Sequence, residues 1–191
     1  MIDRLLYESL VNFYDIQYNK NKLKDILLYN KDKISLRSID WFITNYSKKN
    51  NIFYSCYYNK ITSSYNFNKQ DDNYDIRNIN VYLSYKSQLK AYSKKKFDPF
   101  CRRDRITFDI DDEIVETTIG QLNFFKWAIE NMIIEYVIEN KKDIEKDMNN
   151  SLKISKNSHK KQDERKKRQE LSLSATRGLS RTNVSVRLDF D

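Results

Sequence analysis

The strongest periodicity in the chain begins at Thr118, where the pairing of Thr118 with Gln121 three residues later matches a capping box. Leu122, Phe125, Ile129, Met132, Ile133, Tyr136 and Val137 then recur at spacings of three and four. This predicts that Thr118 to Met148 is largely helical, with that stripe turned to the core. Burying each such side chain contributes roughly 1.5 to 3 kcal/mol, enough for this helix to anchor a fold. Its stripe needs partners, and the N-terminal third supplies helices. Ile2, Leu5, Leu6, Leu10 and Phe13 share one face, as do Leu23, Ile26 and Leu27 after a polar break at 18–21. Ser35 is a predicted N-cap for a third helix carrying Leu36, Ile39, Phe42, Ile43 and Tyr46, which ends in the polar run 48–51 and is expected to pack on the sheet that follows.

Three segments read as strands of that sheet. Ile52 to Tyr58 is rich in aromatic and β-favouring residues; Ile79 to Tyr85 alternates Ile79, Val81, Leu83 and Tyr85 with polar positions; Arg105 to Ile110 alternates Ile106, Phe108 and Ile110 with Thr107 and Asp109. Between the first two, 66–78 is polar and reads as a long loop or an extended hairpin tip. Lys86 to Lys96 is predicted to form a short basic helix, stopped by Asp98-Pro99. The fold class that follows is α+β: a small, mainly antiparallel sheet packed on a long central helix, with N-terminal helices and a basic, flexible C-terminal segment ending in a strand. Residues 1–150 form the single domain. Residues 151–182 offer little to bury and are expected to be weakly structured. In 183–191, Val184, Val186, Leu188 and Phe190 alternate with polar residues as an amphipathic strand, which docks on its own sheet or adds to a partner's edge.

Composition removes several function classes. Phosphate-cradling loops of the GxGxxG or GxxxxGK[ST] kind need glycines, and the chain has only Gly120 and Gly178, with Pro99 its single proline. Nucleotide enzymes of those two designs are excluded. The longest apolar stretch, Met132 to Ile138, is broken by Glu135 and falls far short of the roughly 20 residues a bilayer span requires. With Met1 to Arg4 unlike a secretory leader, the expectation is a protein that is not secreted. Cys56 and Cys101 lie in no ligand cluster and His159 is the sole histidine, so no metal and no cofactor are implied, and the thiols are expected to be reduced. Arg102 and Arg103 beside Cys101 favour a thiolate; a structural cysteine is the alternative.

Charge is segregated. Lys86 to Arg105 carries eight basic residues against two acids, a net of +6, and Lys153 to Arg181 carries ten against three, a net of +7. Since the whole chain is only +8, everything else is at −5. Segregation of this kind is the footprint of a polyanion partner. The candidate nucleic-acid-binding residues are Lys86, Lys90, Lys94, Lys95, Lys96, Arg102, Arg103 and Arg105 in the first block, and Lys160, Lys161, Arg165, Lys166, Lys167 and Arg168 in the second. Tyr85, Tyr92, Phe97 and Phe100 interleave with the first block and suit base stacking; the competing reading makes them core. The acidic run Asp109, Asp111, Asp112, Glu113 and Glu116 is of a kind that suits a hard cation, but it lacks the D-x-[DN]-x-[DN]-G loop and reads as a solvated turn before the helix at Thr118. No catalytic residues are assigned, and the chain is read as a non-enzyme.

Two stretches, Tyr85 to Arg103 with its Phe97-Asp98-Pro99-Phe100-Cys101-Arg102-Arg103, and Glu116 to Asn131 with Thr117-Thr118-Ile119-Gly120-Gln121-Leu122, resemble a family of nucleocytoplasmic large DNA viruses of algae and protists, as does the tail Lys167 to Ser172 with Ala175-Thr176. The crowding of Asn, Lys, Ile and Tyr is the bias of an AT-rich genome and agrees with such a source. The resemblance implies a viral origin, in host cytoplasm (the viral factory) or in the virion, and carries no assigned activity. The expected role is a nucleic-acid-binding viral protein, packaged in the virion or acting in viral gene expression. The alternative is an assembly protein whose basic segments meet acidic surfaces of viral or host proteins. Oligomeric state is left open.

Overall fold

Thr118 caps the central helix as its spacing predicts: its side-chain oxygen accepts the Gln121 backbone N–H at 3.0 Å. In the computed structural model, which describes residues 2–29, 34–69, 73–102, 104–111 and 113–162, this helix is α6 (Ile119–Glu130). Leu122, Phe125 and Ile129 are buried as expected, but so are Phe124, Trp127 and Ala128, so α6 is enclosed on nearly every side. It does not run unbroken to Met148. The chain turns at Asn131 and Met132, the latter left-handed at φ 52°, into α7 (Ile133–Glu139), and turns again at Asn140 into α8 (Lys141–Gln162). At each break an asparagine side chain donates back to the carbonyl four residues earlier, Asn131 to Trp127 at 2.6 Å and Asn140 to Tyr136 at 2.9 Å. That bond competes with the helical ladder.

The N-terminal helices form where the periodicity places them. α1 (Ile2–Tyr14) lies against α6, with Leu6, Leu10 and Phe13 buried and the Tyr14 hydroxyl donating to the Leu122 carbonyl at 2.8 Å, while Leu5, expected on the same stripe, faces out at 66% exposure. α2 (Gln17–Lys24) runs into a wide π-helical turn, Asp25–Tyr29. Ser35 caps α3 (Leu36–Trp41), which continues through a second π-helical turn (Phe42–Tyr46) into α4 (Ser47–Asn50) and stops at left-handed Asn51. Its apolar stripe was expected to meet the sheet. Instead Phe42 stacks on Tyr136 of α7 at 5.1 Å, and the Trp41 indole donates to Asp147 of α8 at 3.0 Å. An aromatic stripe is better buried against helices already in the core than against a sheet whose near strand supplies Tyr54, itself stacked on Tyr136.

The strands make two small antiparallel sheets rather than one. In the first, the order is β2 (Ser64–Asn66), β1 (Phe53–Asn59), β3 (Tyr74–Asn80), with β1 and β3 paired from Phe53↔Asn80 to Asn59↔Tyr74. Of Ile79 to Tyr85, only Ile79 and Asn80 are strand, and the expected loop or hairpin tip at 66–78 carries most of β3. Asn80 is a helix cap, accepting the Leu83 N–H at 3.0 Å, and α5 (Val81–Tyr92) follows it, starting five residues before the expected basic helix. Val81, Tyr85, Leu89 and Tyr92 turn to the core at helical spacing, while Leu83 faces out at 64% exposure. The second sheet is the hairpin β4 (Ile106–Ile110) and β5 (Glu113–Thr117), turned at left-handed Asp111. Sequence reading placed only acids at β5.

The chain divides after Ser151 into two units. The first holds both sheets. Of the second, residues 152–162 are helical, where a weakly structured segment was expected. Asn149 to Gln162 holds no Asp, Glu, Gly or Pro to break or counter the helix, which accounts for the continuation. The remainder of 151–182 and the predicted strand 183–191 lie outside the described residues.

Candidate nucleic-acid interface

The first basic block splits into two parts with different structural roles. Its second part is bolted to the start of α6. Ser93, at φ 59°, ends α5 and starts a turn whose Lys96 carbonyl accepts the Asn123 amide at 2.8 Å. A Cβ on Gly120 would stand 3.0 Å from the Lys95 carbonyl oxygen, so the close approach requires glycine. Asp98 N–H donates to the Gly120 carbonyl at 3.2 Å, and the Gln121 amide donates to the Pro99 carbonyl at 2.8 Å while its oxygen accepts the Thr117 hydroxyl. Phe97 is buried among Tyr85, Phe124 and Trp127, with ring centroids 5.2 to 6.0 Å apart. The Trp127 indole closes the cluster by donating to Ser84 at 2.9 Å.

Buried Asp98 takes two hydrogen bonds from Arg102, both 2.9 Å, and one from the Phe100 N–H at 3.2 Å. The Arg102 guanidinium lies 4.7 Å over the Phe100 ring, and its bonds to Asp98 push its already high pKa higher. Arg105 pairs with Glu116 at 2.5 Å. Arg102 is thus tied to a buried carboxylate, whereas the Arg105–Glu116 pair is exposed at both ends and leaves Arg105 within reach of a partner. Arg103 lies outside the described residues. The base-stacking reading of Phe97 is corrected by its burial: a ring locked against Phe124 and Trp127 offers no face to a base. Phe100 is covered by Arg102, and Tyr85 and Tyr92 pack against the core.

The first part is the opposite. Lys86, Lys90, Lys94 and Lys95 are exposed, and none forms an ion pair among the described residues. Lys86 and Lys90 stand one helical turn apart, about 6 Å along α5, and with Leu83, Ser87 and Leu89 they line a shallow surface groove. Lys95 and half-buried Lys96 line a second groove, of about 410 Å³, with Asp104, Ile106 and the Thr118–Gly120 start of α6. Lys94 acts on Asp40, whose carboxyl burial raises and whose anion Arg102 and Lys94 favour. In the second unit, Lys153 is exposed and Lys160 and Lys161 lie on the helix; Arg165, Lys166, Lys167 and Arg168 lie outside the described residues.

Three of the acids in the run are taken up by ion pairs; Asp109 is exposed and Asp112 lies outside the described residues. Asp111 meets Lys20 at 3.4 Å, Glu113 meets Lys24 at 3.1 Å and Glu116 meets Arg105, tying the β4–β5 hairpin to α2. Burial pushes the Cys56 thiol up to about 11, marking it as structural, whereas Cys101 is half-exposed beside Ile34, Leu36 and Ile114. Sequence reading missed the surface of β3, where Asp75, Ile76, Arg77 and Asn78 are all exposed. The alternation of Tyr74, Ile76 and Asn78 with Asp75, Arg77 and Ile79 was the available signal.

No solved structure matches the chain. Over 154 residues it is 42% identical to the uncharacterized protein L507 of Acanthamoeba polyphaga mimivirus, a stretch that covers 78% of this chain and 52% of the relative, so the chain spans about half of that protein's length. The resemblance to giant-virus proteins is borne out by this kinship. A family model described as a family of unknown function (DUF7197) matches residues 5–163. Its span takes in both small sheets and every helix from α2 to α7. With most of its length so matched, the chain belongs to DUF7197.

Proposed function

We propose that this is a non-enzymatic viral protein that binds nucleic acid through phosphate contacts, in the virion or in viral gene expression. The observation that carries the reading is the row Lys86, Lys90, Lys94 and Lys95, exposed and in no ion pair among the described residues. Lys20, Lys22, Lys24, Lys49, Lys60, Arg102 and Arg105 are by contrast each ion-paired. Ammonium groups with no internal partner exchange counterions for phosphates without breaking anything in the fold. The covered aromatics of the first block remove stacking from the account and leave a backbone-reading, sequence-tolerant contact. Lys153, Lys156, Lys160 and Lys161, spread over a helical segment without a carboxylate, add a second basic element.

Gel-shift titration of the whole chain against duplex and single-stranded probes at several salt concentrations tests this. Affinity should fall with salt, with a logarithmic slope of about 0.9 per phosphate contact on duplex and 0.7 on single strands. Slopes near zero on both probes reject the reading and put the assembly role, with acidic protein surfaces as partners, in first place.

A further inference from the structure

We propose that two copies of this chain pair through the open edges of β3 to form a continuous six-stranded antiparallel sheet, centred on Ile76 facing Ile76 of the second copy. β3 ends its sheet: among the described residues it pairs with β1 alone, and Asp75 to Asn78 are exposed, Ile76 at 59%. The backbone bonds fix which groups the edge presents. Lys60 N–H donates to the Asn73 carbonyl and Val81 N–H to the Ile52 carbonyl, in the same register as the β1–β3 ladder. Odd-numbered residues of β3 therefore exchange hydrogen bonds with β1, and even-numbered Ile76 and Asn78 direct their N–H and C=O away from it.

An isologous antiparallel pairing centred on Ile76 satisfies that parity, because Ile76 and its copy then exchange both backbone bonds. It also places Asp75 opposite the second copy's Arg77, and Arg77 opposite the second copy's Asp75, at the closely spaced positions between hydrogen-bonded pairs. The symmetric registers one step to either side keep the parity but set Asp75 against Asp75 or Arg77 against Arg77, and like charges directly opposite are unfavourable. The charge pattern thus selects one register. The existing Lys60–Asp75 pair, 2.8 Å long, is exposed at both ends and does not hold Asp75 away from a second cation. Arg77 lies 5.8 Å over the Tyr65 ring, on the same side of the sheet as Asp75. Charged residues usually guard a free edge against pairing; an acid and a base two residues apart instead make this edge complementary to itself.

Light scattering and sedimentation of the whole chain over a wide concentration range test the pairing. The expected species is a dimer of the 23.1 kDa chain that dissociates on dilution. Ile76→Pro removes an outward N–H while leaving the β1 ladder its bonds, and should raise the dissociation constant at least tenfold with an unchanged circular dichroism spectrum. Arg77→Asp, which sets acid against acid, should do the same and decides the matter where the proline variant folds poorly. The double variant Asp75→Arg, Arg77→Asp should regain the dimer. A wild-type chain monomeric at every concentration, or a dimer indifferent to Arg77→Asp, overturns the proposal; a double variant that stays monomeric overturns the Ile76-centred register.

Discussion

Residues 86–95 and residues 96–105 each carry four basic side chains, and along the sequence they form one block. In the folded chain they have little in common. Lys86, Lys90, Lys94 and Lys95 stand in solvent outside any ion pair among the described residues, while Arg102 is held by buried Asp98, Arg105 pairs with exposed Glu116, and the turn before them is stitched to α6. The difference comes from what surrounds each cation. Where a buried carboxylate and a buried ring share the segment, as Asp98 and Phe97 do, the arginine becomes part of the packing; where the neighbours are Ser87, Gln88 and Ala91 on an outer helix face, the lysines remain available. Charge density counted along a chain overstates the charge a partner can reach.

Breaking the anchored half should have the largest effect. Phe97→Ala empties the space between Phe124 and Trp127 and should cost about 3 to 5 kcal/mol, read from denaturant unfolding. Asp98→Ala leaves the Phe100 N–H without its acceptor and releases Arg102, with an expected loss of about 1 to 3 kcal/mol. Gly120→Ala forces the Lys95 carbonyl back by a few tenths of an ångström and should cost about 1 to 3 kcal/mol, the same denaturant-unfolding experiment serving for all three. Changing Lys86, Lys90, Lys94 and Lys95 together to Gln should move stability by no more than about 0.5 kcal/mol. That set should nonetheless shallow the salt slope of polyanion binding by up to about 3.6 on duplex, whereas Arg102→Gln, which removes a guanidinium held by buried Asp98, should leave the slope near the wild-type value. Equal slopes for the two variants would erase the distinction between the halves.

Much of the architecture was legible because it rests on local chemistry. The caps at Ser35 and Thr118, the stripe of α1 and the buried positions of α6 follow from periodicity and from hydroxyls placed to accept a backbone N–H. The failures share one cause. Over seven residues, Ile79 to Tyr85 satisfies a period of two as well as a helical one; only with Leu89 and Tyr92 does the spacing of Val81 and Tyr85 become helical, and the Asn80 cap was read as a polar strand position. β5 was passed over because Glu113 and Glu116 read as helix-leading acids, while its one large exposed apolar residue, Ile114, sits on the solvent face. In the site, the candidate lysines were visible from the sequence. The pairing of Arg102 with Asp98 is visible as an i, i+4 pair, but that of Arg105 with Glu116 depends on a hairpin whose second strand the periodicity does not show.

The two tryptophans give this division an optical readout. Trp127 is enclosed by Phe97, Phe124 and Tyr85, so its emission belongs at short wavelength and should shift to the red as soon as the turn at residues 96–100 lifts off α6. Trp41 is half-buried, with its indole held by Asp147 next to Lys49, and it reports on the seam between α3 and α8. With Trp41 changed to Phe, fluorescence follows the anchored half alone, and titrating nucleic acid into that variant should leave the emission wavelength unmoved while the lysine row fills.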